Sequence, residues 1–474
     1  MRQHASANKV LTARDWPLWE RWFATAVLSG YKFISSLASS TMAPGIDAIS
    51  KELEIHNPVV STLTLTVYVL GYAVGPLLLG PASEIYGRKP VLTLSNIWYL
   101  VFNLACGFAR SRDQMIAFRF LAGVGGSGPL ALGGGVLSDC WNAEERTKAL
   151  SLYTLPALLG PALGPIVGGL IVENLPWRWI FWVTSACSAT IQLIGLVLLR
   201  ETYAPVIRKR HNLKYQSALG AEVQSGDEKV TSKIASKLTT AVRLLCFEPT
   251  IQLVSLYGAF LYGLMYIAIS SMTELWTRQY GESRSVSGLN YLSLGLGFAF
   301  GSQSDGQVFA AKDSDSMSSV DNGLIVVQVY RVLKTRNNNK GLPEFRLPML
   351  GSCAVLVPPG LLIYGWTANA KLHWILPNLG VFIFAFGIVN GLQIINLYTV
   401  DCFTSVSASA VSAITVTRSI AGFLLPLPVP IMYQHLGYGW GNTLLALIGV
   451  FLGFPIPLIL WWHSRRQRSM ATSD

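Results

Sequence analysis

Three basic residues stand inside long apolar stretches of the sequence, where a charged side chain is costly. They are Lys32, Arg119 and Arg418. A charge at the centre of a membrane-crossing helix costs about 2.5–3.5 kcal/mol on insertion scales, so it is retained mainly where it serves a function. No aspartate or glutamate lies at the centre of such a stretch, and the nearest is Glu274 at the edge of one. The pattern predicts a cationic interior site that favours neutral or anionic amphiphiles over polycations.

A second set of charges lies in a short segment between two apolar stretches, Gly80–Pro90, which reads GPASEIYGRKP. Glu84 and Arg88 are four residues apart, so on a helical turn they would face each other. Arg88 and Lys89 could also reach carbonyls of a neighbouring helix or a carboxylate such as Asp139. The segment is either a charged latch or a solvated loop that only sets orientation. The six candidate residues are Gly80, Glu84, Gly87, Arg88, Lys89 and Asp139.

A third pattern, in residues 160–169, consists of small residues and prolines rather than charges. Glycines spaced by four let helix backbones approach closely, and prolines remove backbone donors and bend a helix. Ordinary packing would account for any single glycine, but two Gly-Pro pairs and a Gly-Gly pair on one segment indicate a specialised helix. The residues concerned are Gly160, Pro161, Gly164, Pro165, Gly168 and Gly169.

The composition shows what kind of protein must position these residues. Of 474 residues, 51% are hydrophobic and 13% are charged, against about 25% charged in ordinary soluble domains. This balance excludes a set of soluble domains and a disordered chain, and six cysteines are too sparse for a disulfide scaffold. The six histidines are scattered and no Cys-x-x-Cys occurs, so neither a metal site nor an enzyme is expected. A membrane protein with many spans remains.

Twelve stretches approach the length of about 20 apolar residues that a helix needs to cross a bilayer. In the first half, spans 1 to 6 are Trp22–Ala43, Pro58–Gly80, Val91–Ala109, Gln114–Ser138, Ala149–Val172 and Trp177–Leu199. In the second half, spans 7 to 12 are Thr250–Trp276, Val286–Gln303, Leu347–Thr367, Leu372–Val400, Ser405–Gln434 and Gly441–Trp462.

The distribution of Lys and Arg predicts the orientation. Most of them fall in the segments that are cytoplasmic when both termini lie inside, as the positive-inside rule requires. The net charge of +11 therefore reflects orientation, and nucleic-acid binding is not expected. The predicted organisation is a cytoplasmic tail, a six-helix bundle, a cytoplasmic linker, a second six-helix bundle and a cytoplasmic tail, at residues 1–21, 22–199, 200–249, 250–462 and 463–474. Two bundles with a site between them suit a rocking transporter.

Several of these segments resemble those of one family. Residues 80–90 resemble the signature loop of the major facilitator superfamily, and Arg119 followed by Gly123 is similar to its proton-coupling motif. Residues 160–169 resemble the motif of its antiporter branch. Five further strings are similar to the fungal twelve-span drug:proton antiporters, namely ASS at 38–40, WRWIFW at 177–182, ETYAP at 201–205, GLPEFR at 341–346 and LGYGWGN at 436–442.

The resemblance implies an all-α membrane protein with the major facilitator fold, whose two bundles are related by pseudo-two-fold symmetry. It implies an antiporter that exports small amphiphilic drugs or a secondary metabolite, uses the proton as coupling ion and needs no cofactor. The candidate gating residues would then latch the cytoplasmic side. Because arginine keeps its proton, we expect Arg119 to be the coupling-site cation and Glu274 or Lys32 to load the proton. Arg418 is a further candidate residue for proton coupling or substrate binding.

Two other functions stay open, namely a transporter-like sensor and proton-coupled uptake of a small nutrient. We expect a monomer in the lipid bilayer, in the plasma membrane or alternatively in the vacuolar membrane. One segment departs from the family pattern. Residues 304–328 begin with a polar run where span 8 should continue, which suggests a retained intron or a mispredicted splice and would end span 8 at Gln303.

Overall fold

The computed structural model describes residues 12–209, 230–313, 333, 335, 342–403 and 406–471. In this part of the chain there are helices and connecting turns, and no strand. Within the described residues, eight helices, some of them pairs in tandem, are long and apolar enough to cross a membrane. A helix satisfies its backbone N–H and C=O groups with internal hydrogen bonds, and lipid cannot supply such bonds. The prediction of an all-α membrane protein is confirmed.

Each predicted span of the first half corresponds to a helix or to two helices in tandem. Span 4 is divided at Ser127, where the first of its helices ends and the second begins. The helices of spans 1 to 6 are Leu18–Ser40, Pro58–Tyr86, Arg88–Cys106, Arg112–Gly126 with Gly128–Cys140, Ala143–Asn174, and Trp179–Leu198. A short helix, Ile46–Glu52, lies between spans 1 and 2, at the end of the molecule that the charge distribution predicts to be outer. This end is called outer below, and the opposite end cytoplasmic.

The second half is organised similarly but has more breaks. The helices of spans 7 to 10 are Pro249–Glu274, Arg284–Leu289 with Tyr291–Asp313, Leu347–Asn369, and Ile375–Cys402. The helix of span 7 is continued by a short π-helix, Leu275–Gln279. Three more helices, Ser407–Leu424, Val429–Gly453 and Pro455–Ala471, form spans 11 and 12. The backbone changes direction at Gly437, where φ is +69°, and this residue separates span 11 from span 12.

Two segments differ from the sequence prediction. The helix that contains span 8 continues to Asp313, ten residues beyond the end of the predicted apolar span at Gln303. The polar run keeps enough backbone hydrogen bonds to extend that helix, while residues 314–328 lie outside the described residues. The linker 200–249 also contains a helix, Val230–Phe247, which we did not predict.

Helices pack mainly within their own half of the chain. Span 1 packs against spans 5 and 6, and span 2 against span 4; in the second half span 7 packs against span 11, and span 9 against spans 10 and 12. The halves meet where span 2 lies along span 11 and span 5 along span 8. Residues at these two seams can therefore respond to a movement of one half against the other.

Candidate functional site

Arg119 is fully buried where spans 1, 2 and 4 meet. Its guanidinium donates hydrogen bonds to the backbone carbonyls of Ala38, Ser39, Thr64 and Leu65, at 3.0–3.4 Å. The guanidinium carbon also lies 4.5 Å from the centre of the ring of a tyrosine of span 2. The planar guanidinium group, with five N–H donors in a rigid fork, suits several carbonyl acceptors at once. Arg119 thus ties three helices together, and carbonyl oxygens rather than carboxylates surround it.

Two groups of buried hydroxyls lie near this point, and one of them reaches the other half of the molecule. Ser35 Oγ lies 3.0 Å from Tyr68 Oη and 2.7 Å from Tyr72 Oη. Tyr266 of span 7 donates to Ser39 Oγ at 3.1 Å and so joins the two halves. Sequence reasoning missed Ser35, whereas Ser39 lies in the ASS string and the tyrosines are recognisable as aromatic residues within the apolar spans.

Lys32 of span 1 and Arg418 of span 11 come from opposite halves of the molecule. The Lys32 ammonium lies 3.7 Å from the centre of the Tyr153 ring, and the Arg418 guanidinium carbon lies 5.3 Å from that of Tyr262. Both side chains are half-buried, and Arg418 lies within electrostatic range of Lys32. Two like charges therefore occupy one region between the halves, each above an aromatic ring.

Glu274 lies at the outer end of span 7, away from the contacts of Arg119. It forms a salt bridge of 2.7 Å with Arg278, which also reaches Asp47 of the first half at 3.6 Å. The structure therefore does not bring the predicted pair Arg119 and Glu274 together. Glu274 instead belongs to a group of charges that joins the outer ends of the two halves.

The candidate gating residues lie at the cytoplasmic ends of spans 2, 3 and 4. Arg88 Nε lies 3.3 Å from Asp139 Oδ2, and Lys89 Nζ donates to the Leu196 carbonyl at 3.2 Å. Glu84 and Arg88 do not share a helical turn, because one helix ends at Tyr86 and the next begins at Arg88. That part of the expectation is wrong. At Gly80, an added Cβ atom would meet nothing within 4 Å.

The break between these helices is made by Gly87 together with Glu201, a residue we did not select. Gly87 has φ of +100°, and a Cβ atom there would lie 2.3 Å from Glu201 Oε2. The Glu201 carboxylate accepts from the backbone N–H groups of Arg88 at 2.8 Å and Lys89 at 3.2 Å. A carboxylate is stabilising at a helix N-terminus. Glu201 lies in the ETYAP string, so a signal was present.

The second half contains a similar cytoplasmic ion pair. Arg346, which precedes span 9, places its Nε 2.8 Å from Oδ2 of Asp401, at the end of span 10. Arg88 and Asp139 hold the equivalent positions at the start of span 3 and the end of span 4. The pairing of Arg346 was not predicted, although its string had been noted.

The small residues of span 5 bring its backbone against span 1. Added Cβ atoms at Gly160, Gly164 and Gly168 would lie 2.7 Å from Ser36 Cβ, 2.1 Å from a serine hydroxyl and 2.0 Å from the Thr41 carbonyl. Pro161 and Pro165 lie within the same helix. The spacing of four places these glycines on one face, and that face is the contact with span 1.

Gly169, the last residue of this string, faces the other half of the molecule. A Cβ atom there would lie 2.5 Å from the carbonyl oxygen of Arg284. Nearby, the Glu173 carboxylate accepts from Ser285 N at 2.6 Å and from Ser283 Oγ at 3.1 Å. These contacts close the outer ends of spans 5 and 8 against each other. Sequence reasoning missed Glu173, which lies just beyond the predicted end of span 5.

A further outer contact stabilises the first half alone. Arg178 and Trp177 both donate to the carboxylate of Glu52 in the short outer helix. These hydrogen bonds hold the pKa of Glu52 below its ordinary value. Among the described residues, no group of three or more His, Cys, Asp or Glu side chains could hold a metal ion.

Comparison with known proteins gives consistent results over most of the chain. A family model described as Major Facilitator Superfamily matches residues 28–426. The efflux pump vrtL of Penicillium aethiopicum is 41% identical over 461 residues, which cover 97% of this chain and 88% of that protein. The MFS-type transporter oryF of Aspergillus oryzae is 38% identical over 460 residues, with 96% and 92% covered.

Among solved structures, the xylose transporter XylE from E. coli in a partially occluded inward open conformation superposes with a TM-score of 0.66. The sequence identity is 12%, and the superposition covers 93% of this chain and 97% of that one. At this identity the likeness concerns the fold. It includes both halves of the chain.

Proposed function

Because the chain belongs to the Major Facilitator Superfamily, we propose that this transporter exports small amphiphilic molecules in exchange for protons. The observation that carries the proposal is the 41% identity over nearly the whole chain with a protein named as an efflux pump. The efflux pump radE of Floropilus chiversii, 37% identical over 469 residues, supports the same direction of transport. The substrates we propose are xenobiotics or a secondary metabolite.

The contacts between the halves support alternating access. On the outer side, Glu173 with Ser285 and Asp47 with Arg278 hold the halves together. On the cytoplasmic side, the pairs Arg88–Asp139 and Arg346–Asp401 each lie within one half. Outward opening must therefore break the outer contacts, while the cytoplasmic pairs can keep each bundle rigid or change partners.

Proton coupling requires a group that changes protonation during the cycle, and Arg119 is unsuited because arginine remains charged. Its hydrogen bonds to spans 1 and 2 suit a structural role at the coupling site. Glu274 and Lys32 are the two candidates. Glu274 is reachable from outside, and its protonation would release Arg278 in the outer group of charges. Lys32 lies over the Tyr153 ring and within electrostatic range of Arg418 of the other half.

We propose that the transporter works as a monomer in the plasma membrane, with the vacuolar membrane as the alternative. The two halves of one copy pack together along spans 2 and 11 and along spans 5 and 8, and we place the substrate site between them. A second copy is not needed to complete that site.

Efflux assays at two external pH values test this proposal. The protein is expressed in an efflux-deficient yeast, and toxic amphiphiles are applied at pH 5 and pH 7. Export predicts lower intracellular accumulation and a stronger effect at the lower pH. Increased accumulation would indicate uptake, and unchanged accumulation with correct membrane insertion would favour a sensor.

Two substitutions separate the proton candidates. Glu274→Gln and Lys32→Met each remove one titratable group, and the exposed outer residue Lys51 supplies a matched control as Lys51→Met. The variant that loses the pH dependence of efflux identifies the proton carrier. Unchanged coupling in both variants would refute the assignment.

A further inference from the structure

The two cations at the seam between the halves lack the partners that buried charges normally have. Among the described residues, neither Lys32 nor Arg418 takes part in a salt bridge or a hydrogen bond, and Arg418 Nε is buried without a partner. Arg119 gives the contrast within the same protein, since four carbonyl oxygens surround it. A buried cation without a counter-charge is unfavourable unless something else neutralises it.

The aromatic rings beneath the two cations are held in place by other contacts. Tyr153 donates from Oη to the Pro129 carbonyl at 2.8 Å. The rings of Tyr262 and Tyr266 lie 5.2 Å apart, and Tyr266 is in turn bonded to Ser39 of the first half. The region therefore presents two positive charges together with fixed aromatic faces, from both halves of the molecule.

We propose that Lys32 and Arg418 together bind the acidic group of a small aromatic anion, with its planar body against Tyr153 and Tyr262. This inference rests on the export function proposed above and specifies its substrate class, namely aromatic molecules with an ionised carboxyl or acidic phenol group. The anion neutralises both cations at once and removes their mutual repulsion, which draws spans 1 and 11 together. Substrate binding thereby favours closure of the seam. With Lys32 assigned to the anion, Glu274 is left as the group that carries the proton.

Binding of a matched pair of probes tests the proposal. The purified protein in phosphatidylcholine nanodiscs is titrated with tritiated 2-naphthoate and with 2-naphthamide, which has the same shape without the charge. We expect naphthoate to bind at least about tenfold more tightly than naphthamide. Equal binding of the two, or no saturable naphthoate binding at about 1 mM, would overturn the proposal. This comparison uses the unaltered protein and so does not depend on the folding of any variant.

Substitutions then locate the site. Lys32→Met and Arg418→Met should each weaken naphthoate binding at least about tenfold and leave naphthamide binding unchanged. Lys32→Arg should keep most of the affinity, and the outer control Lys51→Met all of it. Variants that bind naphthoate as tightly as the unaltered protein would place the anion elsewhere and refute the assignment. Complete displacement of naphthoate by chloride would mean an inorganic-anion site and also contradict it.

The failures of the two proposals can be told apart. If naphthoate binds but is carried into cells, export is wrong and the anion site stands. If neutral toxic compounds are exported while naphthoate does not bind, the anion site is wrong and export stands.

Discussion

The contact between spans 1 and 5 can be tested at Gly168. A methyl group there would lie 2.0 Å from the Thr41 carbonyl oxygen, where ordinary van der Waals contact begins at 3.4 Å. A backbone carbonyl cannot rotate away as a side chain can, so Gly168→Ala must push the two helices apart. Overpacking of this kind typically costs about 1–3 kcal/mol. The same shift would separate Lys32 of span 1 from Tyr153 of span 5, which now lie 3.7 Å apart, so efflux should fall as well.

The matched control is Gly134→Ala in span 4, where an added Cβ atom meets nothing within 4 Å. Both substitutions remove a helical glycine and gain up to about 1 kcal/mol of helix propensity, so the difference between the variants isolates the clash. Thermal unfolding of the purified proteins in detergent and efflux from whole cells are the measurements. If Gly168→Ala unfolds at the same temperature as Gly134→Ala and transports equally well, the close approach of spans 1 and 5 is wrong.

Three further predictions concern the other contacts. Gly87→Ala should destabilise the folded protein by about 1–3 kcal/mol through strain at its positive φ, and it should displace Glu201. Thermal unfolding checks this. An unchanged unfolding temperature would contradict the capping of the Arg88 helix by Glu201. Arg119→Lys keeps the charge but not the fork, so it should lose about 1.5–3 kcal/mol for each missing bond and abolish efflux; full activity would refute its role in joining three helices. Glu173→Gln weakens the charge-assisted bond to Ser285, so spin labels on the outer ends of the halves should report longer distances, whereas unchanged distances would contradict an outer gate there.

Much of the fold follows from local sequence, and much of the site does not. The helices were predictable because lipid forces each span to pair its own backbone groups and fixes its length. Their ends were less predictable, as the continuation of span 8 to Asp313 shows. The helical turn expected to contain both Glu84 and Arg88 is absent because Gly87 ends the helix between them, and φ at a single glycine is not visible in residue spacing.

The identities of the important cations could be read from the chain alone, because a charge in an apolar stretch is conspicuous wherever its partners lie. The environment of each cation could not be read from the chain. Arg119 meets carbonyls more than 50 residues away in the chain, and Glu201 caps a helix 113 residues before it. Lys32 and Arg418 likewise come from the first and eleventh spans. Hydropathy and spacing act over a few helical turns, whereas the partner of each charge depends on which helices pack together, and only the tertiary structure determines that.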